Sequence, residues 1–355
     1  MTEGGRPSRR SGDGKSGTGD GSSGARDGAN GARDGTAVGV AGLTVGRTTV
    51  AVDVAGVGPV GVRTMAADVF LPSAPLDPPV VMTCLPGGGM TRRYFDLVVA
   101  GDPGTYSMAR HLAGHGIAVV TIDPPGVGES DVPDDPWSLT PETVARVCAE
   151  AARRVVGDLR DGPLPGVVSV GVGHSAGALL TVYAQVSGRC FDALGLLGFA
   201  GGGLPAALTP DELAVAGDAA RARREVVALA RSRFRRPLPV GRTGASQMLL
   251  GVEVPDAARD GISASGGALL AVVGLTSMIP GASDPELAAV DVPIFLGVGE
   301  FDITGRASAI PGQFPGARDI TLYVVATSGH NHNVAPTRHL LWDRLARWAV
   351  SLPVE

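Results

Sequence analysis

The chain has 355 residues, 44% of them hydrophobic, with a formal net charge of -5 and an isoelectric point near 5.7. That length buries a sizeable core, in one large α/β domain or two small ones. The acidic balance gives no reason to expect nucleic acid or an anionic membrane as partner, and no stretch reaches the roughly 18 uninterrupted apolar residues of a membrane span. No apolar run follows Met1, so a cytoplasmic protein is the expectation.

Residues 1–36 hold eleven glycines and four apolar residues. Such a stretch cannot offset its conformational entropy by burial, so residues 1–38 read as a disordered tail. Within it Gly-Ala-Arg-Asp-Gly occurs at 24–28 and again at 31–35, a low-complexity duplication. Strands begin near residue 47, with Thr48–Val54 and Val62–Phe70 as an antiparallel start. A buried run, Val80–Leu85, closes on Pro86-Gly87-Gly88-Gly89. A helix near 105–115, a strand Ile117–Ile122 and a helix opening at Thr140-Pro141 follow; Val144, Val147, Ala151 and Val155 share one face of that helix. Further strands fit 167–171, 193–199, 293–298 and 319–325, and a last helix near Pro336 packs through Leu341, Leu345 and Trp348. Strands alternating with helices of this length imply a parallel sheet with right-handed crossovers.

Residues 205–285 break the alternation. Thr209-Pro210-Asp211-Glu212 makes a capping box that predicts a long helix, and Arg221–Arg236 predicts a solvated arginine face. Ser263–Met278 reads as a more apolar helix. Cys84, Cys148 and Cys190 are odd in number and lie in apolar patterns, as core residues rather than disulfide partners or metal ligands.

One turn carries chemistry. In Gly173-His174-Ser175-Ala176-Gly177 a strand pattern gives way to a helical one, and the flanking glycines allow the two to approach closely with Ser175 exposed in a strained conformation. The bland alternative is a serine that merely caps a helix. A nucleophilic serine needs a base within hydrogen-bond reach and a third group to orient that base. Of the six histidines, His111 and His115 fall on the helix before the fourth strand, His174 adjoins the serine and His339 lies in the last helix. His330 and His332 remain, in Ser328-Gly329-His330-Asn331-His332-Asn333. Asp302, ending Gly299-Glu300-Phe301-Asp302 after a buried strand, is the candidate acid, with Glu300 as the alternative; Ala200–Pro210 offers no carboxylate.

These motifs resemble the α/β-hydrolase superfamily over roughly residues 47–355. The elbow at Ser175, the chain order Ser175, Asp302, His330, the glycine loop after the third strand and the Asp123–Ser130 turn all match. The resemblance implies a mostly parallel eight-stranded sheet flanked by helices, with a helical cap inserted between strands 6 and 7. Residues 39–204 and 286–355 would then be the core, and 205–285 the cap. It implies Ser175 as nucleophile, His330 as base because it follows a glycine directly, His332 as the alternative base, and Asp302 as acid. The amides of Gly88 and Ala176 would form the oxyanion hole, with Gly89 or Met90 as alternatives to Gly88. Pro86 stands where the family usually has histidine. Arg92, Arg93 and Tyr94 follow on the same loop, where one of them is a candidate substrate contact although exposed loop charges usually make none, and Asp123–Ser130 reads as a structural turn.

The implied activity is hydrolysis of a carboxylic ester or lactone through an acyl-enzyme, on a small-molecule substrate, with no cofactor and no metal ion. Thioester, amide or carbon–carbon bond hydrolysis, and a non-catalytic ligand-binding role, use the same fold and stay open. Gly171-x-Gly173-x-x-Ala176 superficially fits a dinucleotide fingerprint, but no acidic residue follows in the expected register. The sequence names neither the substrate nor the oligomeric state.

Overall fold

Eight strands form one sheet in the order β1-β2-β4-β3-β5-β6-β7-β8. The computed structural model describes residues 46–240 and 247–353; the expected tail of residues 1–38 lies outside the described residues. The first half runs β1 (Gly46–Asp53), β2 (Thr64–Leu71), β3 (Val80–Leu85), α1 (Met108–Gly114), β4 (Ala118–Ile122), α2 (Pro141–Asp161), β5 (Val168–His174), α3 (Ala176–Gly188) and β6 (Ala193–Leu197). Then come α4 (Pro210–Leu213), α5 (Ala219–Phe234), α6 (Gln247–Leu250), α7 (Asp256–Ala264), α8 (Ala271–Met278) and α9 (Asp284–Ala288). The chain closes with β7 (Ile294–Gly299), β8 (Ile320–Val325) and α10 (Arg338–Val350). β1 pairs β2, and β2 pairs β4, antiparallel; every other pairing is parallel.

The central strands are buried on both faces, so their side chains divide by alternation. Val80, Met82 and Cys84 join Leu112 of α1 and Leu341 and Trp342 of α10 in one core. Val81 and Leu85 join Val144 of α2 and Leu179 of α3 in the other. Covering each such side chain contributes roughly 1.5–3 kcal/mol, which is why runs with no polar alternation still fix a sheet. α2 starts as expected: the Thr140 hydroxyl accepts from the Thr143 amide, Pro141 takes the first helical position, and Val144, Val147, Ala151 and Val155 are buried.

Register sets where the loops emerge. Leu85 stands opposite Gly173, His174 opposite Leu197, and Gly299 opposite Val325. The loops after β3, β5, β7 and β8 therefore leave at neighbouring carboxyl ends of parallel strands, where open α/β sheets bind ligands.

The segment between β6 and β7 departs from expectation in two places. The capping box forms, with the Glu212 carboxylate accepting the Thr209 amide at 2.8 Å, but α4 spans only four residues. Gly217, at φ +75°, turns the chain and donates its amide to the Pro280 carbonyl, and Asp218 caps a new helix, α5. The apolar helix expected over 263–278 is also divided. α7 ends at Ala264 and α8 starts at Ala271; between them Gly266 pairs with Met90, and Ala268 with Val240, as short β-bridges. Two adjacent glycines hold a helix poorly, so strand-like pairing wins. α5 and α8 bury Val226, Leu275 and Ile279 in a core of their own.

The arginine face of α5 is largely exposed, as expected, and three of its arginines are paired: Arg221 reaches Glu225, Arg233 reaches Glu212, and Arg223 joins Glu142 of α2 and Glu286 of α9. Among the described residues no helix is long and apolar enough to cross a membrane. Cys84, Cys148 and Cys190 are free thiols.

Candidate active site

Ser175 takes φ +53° and ψ -121°, a conformation side chains rarely adopt, and its hydroxyl makes no capping bond to α3. The ordinary helix-cap role is therefore not what the geometry serves. Its amide donates to the Leu197 carbonyl at 2.8 Å, tying the turn to β6. The glycines answer to space. A Cβ at Gly177 would stand 2.2 Å from the Leu85 carbonyl oxygen and 2.4 Å from that of Pro86, and one at Gly173 would stand 2.4 Å from the Ala178 Cα. Only without those methyls can the first turn of α3 press against the loop after β3.

That approach brings the expected oxyanion donors together. A Cβ at Gly88 would lie 3.6 Å from the Ala176 Cβ. First-turn helix amides have no partner within the helix, and the Ala176 amide sits at the positive end of α3. The Met90 amide donates to the Gly87 carbonyl at 3.1 Å, which removes Met90 from the candidates. Among the described residues the Gly88 and Gly89 amides make no such bond.

Asp302 lies in the turn after β7, where its amide donates to the Gly299 carbonyl and one carboxylate oxygen accepts the Gly299 amide. Two histidines from the loop after β8 converge on it. His330 Nδ1 is 2.7 Å from Asp302 Oδ1, and His332 Nε2 is 3.0 Å from Asp302 Oδ2. Burial pushes the Asp302 carboxyl up, but the hydrogen bonds and charges of His330 and His332 outweigh it and hold the group well below the usual carboxylate range. An ionised carboxylate can only accept, so both rings donate to it, and His330 keeps Nε2 for other work.

The loop is braced on three sides. Its Asn333 side chain donates to the Tyr94 carbonyl and accepts from the Trp342 indole, and the Asn331 amide donates to the Leu249 carbonyl. From below, His174 Nε2 lies 2.8 Å from the His330 carbonyl oxygen, so Nε2 carries the proton, and the ring stacks on Tyr94 at 4.6 Å. Burial first, and the charges of His330 and His332 with it, hold the His174 imidazole far below its ordinary range, so it stays neutral.

Ser175 and His330 line one cavity of about 40 Å³, together with Phe199, Leu204, Ser277 and Thr304. No hydrogen bond joins Ser175 to His330 among the described residues; such bonds commonly tighten only once substrate is bound. His332 is fully buried and is not part of that cavity wall. A second cavity, about 20 Å³, lies beside the expected oxyanion donors, between Gly88, Ala176, Leu180, Leu269, Leu270 and Val273. It has room for roughly one water molecule. A Cβ at Gly88 would meet Leu269 Cδ1 at 2.8 Å, so Leu269 roofs the expected oxyanion loop. Leu275, in contrast, packs within the α5–α8 core.

Two sequence expectations change. Glu300 is exposed and accepts the Thr327 amide at 2.8 Å, away from both histidines, so it does not substitute for Asp302. Arg92 is no exposed loop charge: it is buried and pairs with Asp68, Asp123 and Glu129, the last two on the Asp123–Ser130 turn. Arg93 is exposed. The pairing of His332 with Asp302, and the support of the loop by His174, were not read from the sequence; the only signal was the histidine inside the elbow motif itself.

The sequence profile of the alpha/beta hydrolase family matches residues 84–346. The chain belongs to this family. Solved structures that resemble it include a lipase in its open form, 18% identical with a TM-score of 0.58, covering 86% of this chain and 98% of the lipase. An esterase from Thermogutta terrifontis is 17% identical with a TM-score of 0.53, covering 85% and 97%. A monoacylglycerol lipase of Paleococcus ferrophilus is also 17% identical with a TM-score of 0.53, covering 81% and 98%. At such identities the likeness is one of fold. No curated protein sequence matches the chain.

Proposed function

We propose that this family member is a serine hydrolase of small carboxylic esters or lactones. The observation that carries the reading is His330, which lines the cavity that Ser175 also lines while its Nδ1 lies 2.7 Å from the Asp302 carboxylate. In the proposed reaction Ser175 Oγ attacks the carbonyl carbon while His330 Nε2 takes its proton, and Asp302 stabilises the imidazolium. The carbonyl oxygen becomes an oxyanion received by the Ala176 amide and that of Gly88. Collapse breaks the bond to the alcohol, which leaves with the proton from His330. Water, deprotonated by His330, then attacks the acyl carbon and frees Ser175.

The acyl group fits the reading best on the side of Gly88, Leu180 and Val273, and the alcohol on the side of Phe199, Leu204 and Thr304. Residues 205–285 would act as the cap, with Leu269, Leu270 and Val273 roofing the acyl side. The small volumes favour short acyl groups. The test is a series of activated esters from acetyl to octanoyl, with thioester and anilide analogues, for wild type beside Ser175→Ala. The reading expects short esters to be turned over best and Ser175→Ala to lose at least roughly 10³-fold in kcat. Turnover unaffected in the alanine variant would overturn it.

A further inference from the structure

We propose that His111, His115 and Asp343 form a zinc site that clamps α1 to α10, separate from the cavity of Ser175. His111 and His115 are spaced i, i+4, the first on α1 and the second its C-cap, so both rings leave one face of the helix. Asp343 comes from the facing helix α10. His111 Nε2 lies 2.7 Å from Asp343 Oδ1, and His115 Nε2 lies 3.8 Å from the same oxygen. One ligand atom from each of the three residues falls within 4.8 Å of the others. Tetrahedral zinc with nitrogen and oxygen ligands spaces its ligand atoms about 3.4 Å apart, so shifts of about 1 Å complete the geometry.

A second observation points the same way. His115 Nδ1 is 2.8 Å from the His111 carbonyl oxygen. A carbonyl only accepts, so Nδ1 carries the proton and, in the neutral ring, Nε2 presents its lone pair toward Asp343. Orienting a ligating imidazole by a hydrogen bond from its other nitrogen to a backbone carbonyl is the usual support of a metal-bound histidine. Zinc would replace the proton shared by His111 and Asp343, and that proton would move to His111 Nδ1. The ring of His339, 5.2 Å from that of His111 and edge-on to Trp342, walls the site on the α10 side. Two imidazoles and one carboxylate suit zinc and leave a fourth position for water; magnesium, which prefers oxygen ligands, is the poor match.

The clamp would join the helix that follows the oxyanion loop to the helix that follows the His330 loop. The sequence carried the expectation of no metal ion at all, and the proposed site departs from it with a structural role. The experiment uses tag-free protein stripped with a chelator and titrated with zinc, by calorimetry and against a chromophoric chelator. Binding of one zinc per chain is expected, with a rise in Tm that magnesium does not produce. His115→Ala, at an exposed position, and Asp343→Asn should each weaken zinc binding at least tenfold, since even outer-shell partners are worth roughly 10–100-fold. His330→Ala should leave it intact. No stoichiometric binding, or binding that survives His115→Ala and is lost in His330→Ala, would overturn the proposal.

Discussion

Gly177→Ala tests how closely the elbow must approach the proposed oxyanion loop. The added methyl would stand 2.2 Å from the Leu85 carbonyl oxygen and 2.4 Å from that of Pro86. Neither atom is the tip of a flexible side chain, since Leu85 is held in the β3–β5 ladder opposite Gly173. Carbon–oxygen contacts settle near 3.3–3.6 Å, so the first turn of α3 and the 86–90 loop must part by about 1 Å. A displacement of that size at a reacting centre costs roughly 10²-fold, or about 2.7 kcal/mol of transition-state stabilisation. Overpacking would also take about 1–3 kcal/mol from the fold, which a domain of ordinary stability survives. The assay is kcat/KM on p-nitrophenyl acetate, paired with guanidinium melts. Gly157→Ala on α2, where a Cβ meets nothing within 4 Å, is the control that should keep full activity. Gly177→Ala retaining kcat/KM within about threefold of wild type, with an unchanged melt, would refute the reasoning.

Three further outcomes follow from the same geometry. His330→Ala should match Ser175→Ala in lost turnover, whereas His332→Gln, which keeps an N–H donor for Asp302, should stay within about tenfold of wild type; the opposite ranking in steady-state kinetics reassigns the base. Leu269→Ala removes the roof over Gly88 and should raise kcat/KM for butyryl and hexanoyl esters at least about tenfold relative to acetyl, and equal effects at all lengths would move acyl selection elsewhere. His174 stays neutral in the fold while the unfolded chain protonates near pH 6.5, so its contribution to stability is complete above that pH and falls by up to about 1.4 kcal/mol per pH unit below it. His174→Gln should remove that slope, which urea melts between pH 7.5 and 5.5 measure; parallel slopes for wild type and variant would contradict it.

The middle of the sheet was legible because its central strands are buried on both faces and read as apolar runs: Val80–Leu85 matches β3 residue for residue. Ser175, Asp302 and His330 were legible as candidates because each follows a strand at a turn with its own residue pattern. The segment 205–285 was legible as an interruption, but not in its helix ends. Those depend on distant partners: Gly217 turns because it reaches Pro280, and Gly266 leaves the helix to pair with Met90. Arg92 was misread for the same reason, since its three acidic partners come from β2 and from the Asp123–Ser130 turn. Two histidines in one loop, two residues apart, cannot be ranked by spacing; the geometry shows both on Asp302, with only His330 on the cavity wall.

The most direct test of the proposed serine chemistry is labelling with a fluorophosphonate followed by peptide mass spectrometry of the intact, folded protein. The account predicts one adduct per chain, on Ser175, forming much more slowly in His330→Ala and concurrent with loss of esterase activity in wild type. A stoichiometric adduct on another residue, or ester turnover that persists in protein fully labelled at Ser175, would contradict it.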